Sequence, residues 1–579
     1  MRKSMKVHMI LPLAALFTIG VSMTSFALGW TERDGAWVYV NKDGSMAANR
    51  WEKSDNNWYW LNSDGRMAVD QIVEDDDDYY YVDENGVMVT NQWVQVENEN
   101  PQEDEPSNWW YYFQKTGKAC KANDSGNTTL KTINNKKYAF TDEGKMLFGW
   151  VDDSSTRQTD EDAWTNCQYY LGDENDGAVT IGWAQIHVID RSLSWDKTEE
   201  ESEDQDYWFY FQKNGKKFAQ SEDGLYDDPI KIKTINGNKY GFDKTGRMVF
   251  EWSEVKNSYF MNHSSVASTS TYGYQYFNDR DNGARVTKGW FKVIPDQEMN
   301  QKDYDDGEAR WYYAYRSGIV CSSELRMING KRYAFDNSGR MLTGLQYLYI
   351  DRSERGNPVL YNKKLDDEDF LKAATELQNA ASYRLSAVDA EGDEYEGLDI
   401  LTVERGFNKI TDYGVYYFGG DDDGAARTST QTIHMEGEPY TFYFKEPGSN
   451  KGKGLNGIKN NYIYQNGKRV KADKDNKYEA YYCADSDTPA VENGDDSDIV
   501  AGHFYYVSPD ELEAFANKHT DRDNPGLYLV NTSGNMVKGT KEVRDGNDMY
   551  YHVTNGKVDS YYGKDGSEKV NVVTIKNEW

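Results

Sequence analysis

The sequence predicts an all-β fold, a solenoid of stacked β-hairpin repeats with short helical inserts in the C-terminal third. Three observations carry that reading. Trp30, Trp51, Ile72 and Trp93 recur every 21 residues, as do Trp37, Trp58 and Tyr79, and Gly44, Gly65 and Gly86, and Met46, Met67 and Met88. A short fixed period marks an architecture in which one small unit is stacked many times. Trp58-Tyr59-Trp60 and Tyr79-Tyr80-Tyr81 are aromatic runs of the kind that occupy strands. Asp43-Gly44, Asp64-Gly65 and Asn85-Gly86 are hairpin-turn signals, because glycine accepts positive φ without strain. One hairpin alone is marginal in water, so such units must stack.

Taken in order, residues 1–27 read as a secretory signal. Arg2, Lys3 and Lys6 form a basic start, Met9 to Val21 an apolar run, and Ser25-Phe26-Ala27 a small-x-small cleavage site. The apolar run is short for a membrane span, so no membrane insertion is expected after cleavage. Residues 28–100 hold the short 21-residue repeats. Residues 101–345 hold longer compound hairpins. Trp110-Tyr111-Tyr112-Phe113, Trp208-Phe209-Tyr210-Phe211 and Trp311-Tyr312-Tyr313 mark successive cycles of roughly 100 residues. The segment from Ile133 to Met146 recurs as Ile235 to Met248 and Ile328 to Met341. Acidic stretches such as Glu199 to Asp206 read as exposed loops between cycles. Residues 346–579 are degenerate repeats with two helical inserts. One runs from Asp366 to Ser382. The other opens at Ser508-Pro509-Asp510-Glu511, a capping box with proline at the first helical position.

Composition narrows the partners. The chain of 579 residues has a net charge of −32, which argues against nucleic acid and an anionic bilayer and allows a cationic or neutral ligand. Tyrosine outnumbers phenylalanine, 45 to 21, which favours rings lying half in a core and half in water. Cys120 and Cys321 occupy one slot in two repeat copies, so neither a disulfide framework nor a zinc site is expected from the four cysteines. The run Asp75-Asp76-Asp77-Asp78 lacks the spacing of a calcium loop and reads as a solvated tip. Cys483 and His503 have no orienting third group, and no nucleophile elbow, zinc-protease motif or phosphate loop occurs. No catalytic residue, metal or cofactor is expected.

The repeats resemble the choline-binding and cell-wall-binding repeat family of Gram-positive surface proteins. The matching pieces are Gly29-Trp30, Trp37-Val38-Tyr39, Gly44-Ser45-Met46, Trp51, Trp58-Tyr59-Trp60 and Gly65-Arg66-Met67. Ile328 to Tyr333 is also similar to the C-terminal glycan-binding repeats of large clostridial toxins. The resemblance implies ligand sites at hairpin junctions, where aromatic walls enclose a quaternary ammonium or stack on a sugar. It implies Trp30, Trp37, Trp51 and Tyr39 at the first junction, and Trp51, Trp58 and Tyr81 at the second. Ile72 stands where the third needs tryptophan. Trp93, Trp150, Trp183, Trp252 and Trp290 hold the Gly-Trp position or its equivalent, and Leu345 breaks the series. Beside this stands a packing reading, since alternate rings of a strand also fill the interior of a stack.

The expected function is therefore a secreted, non-catalytic, wall-associated protein held non-covalently to choline-bearing teichoic acid or wall polysaccharide. A host-glycan-binding adhesin and a wall hydrolase with an unrecognised catalytic module are the alternatives. Only residues 346–415 and 470–527 could supply such a module.

Overall fold

The computed structural model describes residues 28–102, 104–123, 126–191, 204–221, 230–256, 272–350, 359–365, 387–388, 394–395, 413–483, 504–518 and 527–572. The segment 1–27, the Asp366–Ser382 insert, His503 and Glu199 to Glu203 lie outside them. The chain divides into two compact units. One comprises the residues up to Glu222 with Phe242–Met248, the other Asp223–Gly241 with the residues from Val249 onward. Among the described residues, no helix is long and apolar enough to cross a membrane.

The first unit is a run of two-stranded antiparallel hairpins. Gly29–Arg33 pairs with Ala36–Val40, Arg50–Ser54 with Asn57–Leu61, Gln71–Asp75 with Asp78–Val82, and Gln92–Glu97 with Asn108–Phe113. Lys131–Ile133 with Lys136–Tyr138, Gly149–Val151 with Tyr169–Leu171, and Gly182–Ile189 with Asp204–Phe211 follow. All but the Lys131–Ile133 hairpin pair a Gly-Trp-type strand, or its equivalent, with an aromatic strand.

The turn assignment needs correcting. The loop inside the first hairpin is Asp34-Gly35, with φ of 51° and 77°. Asp76-Asp77 does the same in the third, at 49° and 62°, so the acidic run is a tight hairpin loop in which both central residues have positive φ. Asp78 is ion-paired to Lys118. The Asp43-Gly44 turn instead comes after the hairpin and folds the chain back to a single bridge, Val40 to Met46. The same bridge recurs as Leu61 to Met67, Val82 to Met88 and Phe140 to Met146.

That returning residue staples one repeat to the one before. The Met67 N–H donates to the Trp37 carbonyl at 2.8 Å, Met88 to Trp58 at 2.9 Å, Ala119 to Tyr79 at 2.7 Å and Met146 to Trp110 at 2.7 Å. The turn glycine lies under the preceding staple residue. Gly117 has φ of +87°, which favours glycine, and a Cβ there would come within 2.5 Å of the Met88 sulfur, so the methionine would have to shift.

Of the acidic stretch Glu199 to Asp206, the described part, Asp204–Asp206, opens the strand Asp204–Phe211 and is not a loop. Asp190, only 3% exposed, takes a hydrogen bond from the Tyr207 hydroxyl at 2.7 Å and an ion pair from Arg247 at 3.1 Å. Arg247 also bonds Asp243 at 3.0 Å. The second unit repeats the device, with Asp303 joined to Arg310 at 2.6 Å and to Arg340 at 3.2 Å. Burial alone would raise the Asp303 carboxyl, but the two guanidiniums hold it below the usual carboxylate range. Asp303 lies in the short helix Gln301–Asp305, capped by Asn300, and a further short helix spans Ala163–Asn166. Helical inserts thus also decorate the compound hairpins, where a C-terminal placement was expected.

In the second unit Glu251–Lys256 pairs with Tyr272–Phe277, Gly289–Val293 with Arg310–Ala314, and Glu324–Ile328 with Lys331–Phe335. Beyond these the sheets widen. Gly344–Ile350 is flanked by Val359–Lys364 and Tyr413–Phe418, and later sheets have five, three and four strands. The capped helix at Ser508 forms, with Glu511 reaching back to the Ser508 N–H at 2.9 Å. It continues as Leu512–Lys518, and Phe515 packs against Tyr482. All four cysteines are free thiols.

Candidate functional site: aromatic cages at the hairpin junctions

One register places every ring at the Gly-Trp position. Trp30 faces Tyr39 across its hairpin, Trp51 faces Trp60, Trp93 faces Tyr112, Trp150 faces Tyr170, Trp183 faces Tyr210, Trp252 faces Tyr276 and Trp290 faces Tyr313. These pairs stand on one face of the hairpin, because strand side chains alternate. The central aromatic of the next hairpin stands on its opposite face and meets them.

Each junction is thus closed by rings from two repeats. Trp30 contacts Tyr39 at 5.5 Å and Tyr59 at 5.1 Å, and Trp51 contacts Trp60 at 5.3 Å and Tyr80 at 5.1 Å. Trp93 is surrounded by Tyr138 at 4.9 Å, Tyr112 at 5.2 Å, Phe140 at 5.9 Å and Trp110 at 6.5 Å. Trp290 has the same set in Tyr333 at 4.7 Å, Tyr313 at 5.2 Å, Phe335 at 5.8 Å and Trp311 at 6.3 Å. Trp183 meets Tyr210 at 5.3 Å, Phe242 at 5.7 Å and Trp208 at 6.2 Å. Trp252 meets Tyr312 at 4.8 Å and Tyr276 at 5.0 Å. Trp150 meets Tyr170 at 4.9 Å and Phe209 at 5.5 Å. Most contacts are edge-on, which turns ring faces to different sides of one small space.

A methionine from the staple position adds to the wall. Met88 packs with the Trp51 cluster, Met146 with that of Trp93 and Met341 with that of Trp290. The methionines are thus part of the junctions, besides filling gaps. Burial holds the phenols of Tyr80, Tyr138, Tyr276 and Tyr333 above their ordinary range, so they are neutral at neutral pH. Asp75 accepts the Trp51 indole N–H at 3.1 Å, which puts a carboxylate beside that cage. The buried indole nitrogens of Trp30, Trp110 and Trp208 have no hydrogen-bond partner. Among the described residues no cluster of ligating side chains could hold a metal.

The expected groupings change in detail. The structure brings Trp30 together with Tyr39, but Trp51's partners are Trp60 and Tyr80, while Tyr81 stacks on Phe113 at 6.0 Å and donates to Asp70. Trp37 and Trp58 bear the staple through their carbonyls. Trp58 is 40% exposed, with the Lys53 ammonium 5.8 Å from its ring. Tyr59, Trp60 and Tyr80 were expected as strand residues only, and Tyr138 was not expected as a junction residue. Alternation along each aromatic strand was the signal that could have found them, since the central ring must face the preceding repeat. Leu345, where the series breaks, is 2% exposed in a mixed cluster with Leu365, Val415, Phe442 and Phe444, opposite Tyr417.

Comparison with known proteins puts a family match on the stretch that holds Trp51, Trp60 and Tyr80. The family model described as the choline-binding repeat matches residues 48–93. No curated protein matches the chain. Among solved structures, the chain is similar to the modular autolysin LytC from Streptococcus pneumoniae in complex with a synthetic peptidoglycan ligand. That match has 19% identity and a TM-score of 0.29 over 56% of this chain and 55% of that one. The chain therefore spans about half the length of that autolysin. It is also similar to choline binding protein F of the same organism, solved in the presence of a peptidoglycan analogue, at 19% identity and a TM-score of 0.26 over 58% of this chain and 94% of that one. The choline binding domain of Spr1274, again from Streptococcus pneumoniae, matches at 29% identity over 16% of this chain and 95% of that one, with a TM-score of 0.13. Over residues 48–93 the chain carries choline-binding repeats, and the two hairpins of that stretch, Arg50–Ser54 with Asn57–Leu61 and Gln71–Asp75 with Asp78–Val82, share one register.

Proposed function

We propose that this chain is a secreted, non-catalytic binding protein whose junction cages hold the quaternary ammonium of choline on wall teichoic acid. The observation that carries this reading is the repetition of one construction at Trp51, Trp93 and Trp290: a Gly-Trp-type ring, its cross-strand aromatic, the central ring of the next hairpin and a methionine. A cation over an aromatic face gains roughly 0.5–2 kcal/mol, more when desolvated. Each site is weak alone, and linked sites on one chain bind a repeating polymer with multiplied strength. The orphaned indole N–H groups of Trp30, Trp110 and Trp208 support a ligand that also offers an acceptor. The basic, apolar, small-x-small order of residues 1–27 supports export.

The test is retention of the mature chain on purified cell walls, followed by washing with millimolar choline. Release is the expected result, with weaker retention for Trp51→Ala and Trp93→Ala. Retention through the choline wash favours a second reading, stacking on wall polysaccharide, which the exposed ring of Trp58 supports. Failure to bind walls shifts the reading to a host glycan.

A further inference from the structure

The cage at Trp150 departs from the others at two positions, and both departures point the same way. The staple residue is methionine at the cages of Trp51, Trp93 and Trp290, but at Trp150 it is Lys217. Its backbone does what the methionines do, donating its N–H to the preceding hairpin, here to the Gln168 carbonyl at 2.6 Å. Gln168 itself stands where other cages carry an aromatic, Trp110 at the Trp93 cage and Trp311 at the Trp290 cage.

The Lys217 side chain does not escape to solvent. The residue is 5% exposed, and its Nζ lies 5.2 Å from the Trp150 ring centroid and 5.8 Å from that of Phe209. Two of its protons have acceptors, the carbonyls of Trp164 and Thr165, the latter at 3.4 Å. Both belong to the short helix Ala163–Asn166, inserted between the two strands of the Trp150 hairpin. The Trp164 ring closes over the same place, 6.2 Å from Phe209. From the other side, a Cβ on Gly246 would come within 2.7 Å of Lys217 Cδ, so the next turn seals the stem.

We propose that Lys217 is a built-in ligand: its ammonium occupies the Trp150 cage and closes that junction to external quaternary ammonium. This rests on the reading of the other cages as quaternary-ammonium sites. A primary ammonium has N–H groups that need acceptors, which a trimethylated cation does not. The Trp164 and Thr165 carbonyls supply them, so this cage is specialised for a lysine. The insert carrying them has a task, which is to hold the internal cation.

The test is calorimetric titration of the mature chain with choline, comparing the native protein with Lys217→Met. Methionine is the residue this slot carries at the Trp51, Trp93 and Trp290 cages. The variant is expected to bind one more choline per chain, and the double variant Lys217→Met, Trp150→Ala to lose it again. An unchanged number of sites in Lys217→Met overturns the proposal while leaving the function above intact. If the native chain binds no choline at all, both readings fall. A second measurement needs no variant. In the chain labelled at lysine Cε, ring currents should shift the Lys217 ε-methylene protons upfield, and saturating choline should leave them there. Absence of the upfield shift, or its removal by choline, overturns the proposal.

Discussion

Residues 29–146 and residues 413–572 use the same staple for different ends. Among the former, the Met88 N–H reaches the Trp58 carbonyl, and the junction beside it is walled by Trp51, Trp60 and Tyr80. Among the latter, the Gly454 N–H reaches Val415 and the Met536 N–H reaches Asn461 in the same manner. The cores there are clusters such as Leu527, Leu529, Val553 and Val558, in sheets of three to five strands. Stacking and the assembly of an aromatic junction are therefore separable. Stacking needs a returning backbone N–H and a turn glycine, whereas a cage needs tryptophan opposite an aromatic and a ring from the next hairpin.

The largest expected effects pull that comparison apart. Trp93→Ala should cost about 3 kcal/mol, the low end for a tryptophan because the ring is only partly buried, and should remove one choline per chain. Leu345→Ala should cost a similar amount, about 3 kcal/mol, and remove none. Urea midpoints and choline stoichiometry read both. Equal loss of choline in the two variants would mean that stacking and binding are one property.

Glycine substitutions give a smaller and sharper contrast. Gly44 has φ of +85° with nothing near its added Cβ, so Gly44→Ala should cost only the left-handed backbone, about 1–2 kcal/mol. Gly117, at +87° under Met88, adds a clash that costs about 1–3 kcal/mol more. Hydrogen exchange of the neighbouring amides would show whether the second variant opens the staple to Tyr79.

The smallest effect is a pH dependence. Burial, the dominant cause, pushes the Lys217 amine down to about 8 from 10.5. The ammonium persists at neutral pH, but the folded state binds its proton less firmly than the unfolded chain does. This group's contribution is therefore least favourable below about pH 8 and improves as pH rises toward 10.5. Lys217→Met should remove that rise, visible as the difference between the two chains' melting temperatures from pH 7 to 10.

Much of this was legible in advance. The 21-residue spacing gave the hairpin period, and the Gly-Trp-type positions stand opposite an aromatic across each hairpin. The internal turn was misplaced because Asp-Gly and Asp-Asp both tolerate positive φ, and only the pairing of Arg33 with Ala36 shows which closes the hairpin. The ion pairs of Asp190 and Asp303 were not legible, since nothing local marks the distant Arg247 and Arg340 as their partners.

The sequence by itself determined the hairpin class and the period, because alternation and β-propensity act between residues close along the chain. Tertiary structure decided which ring of the next repeat closes each junction, and that Lys217 rather than an open space faces Trp150. Those contacts join residues of different hairpins, and their geometry follows from how two faces pack, which no local spacing records.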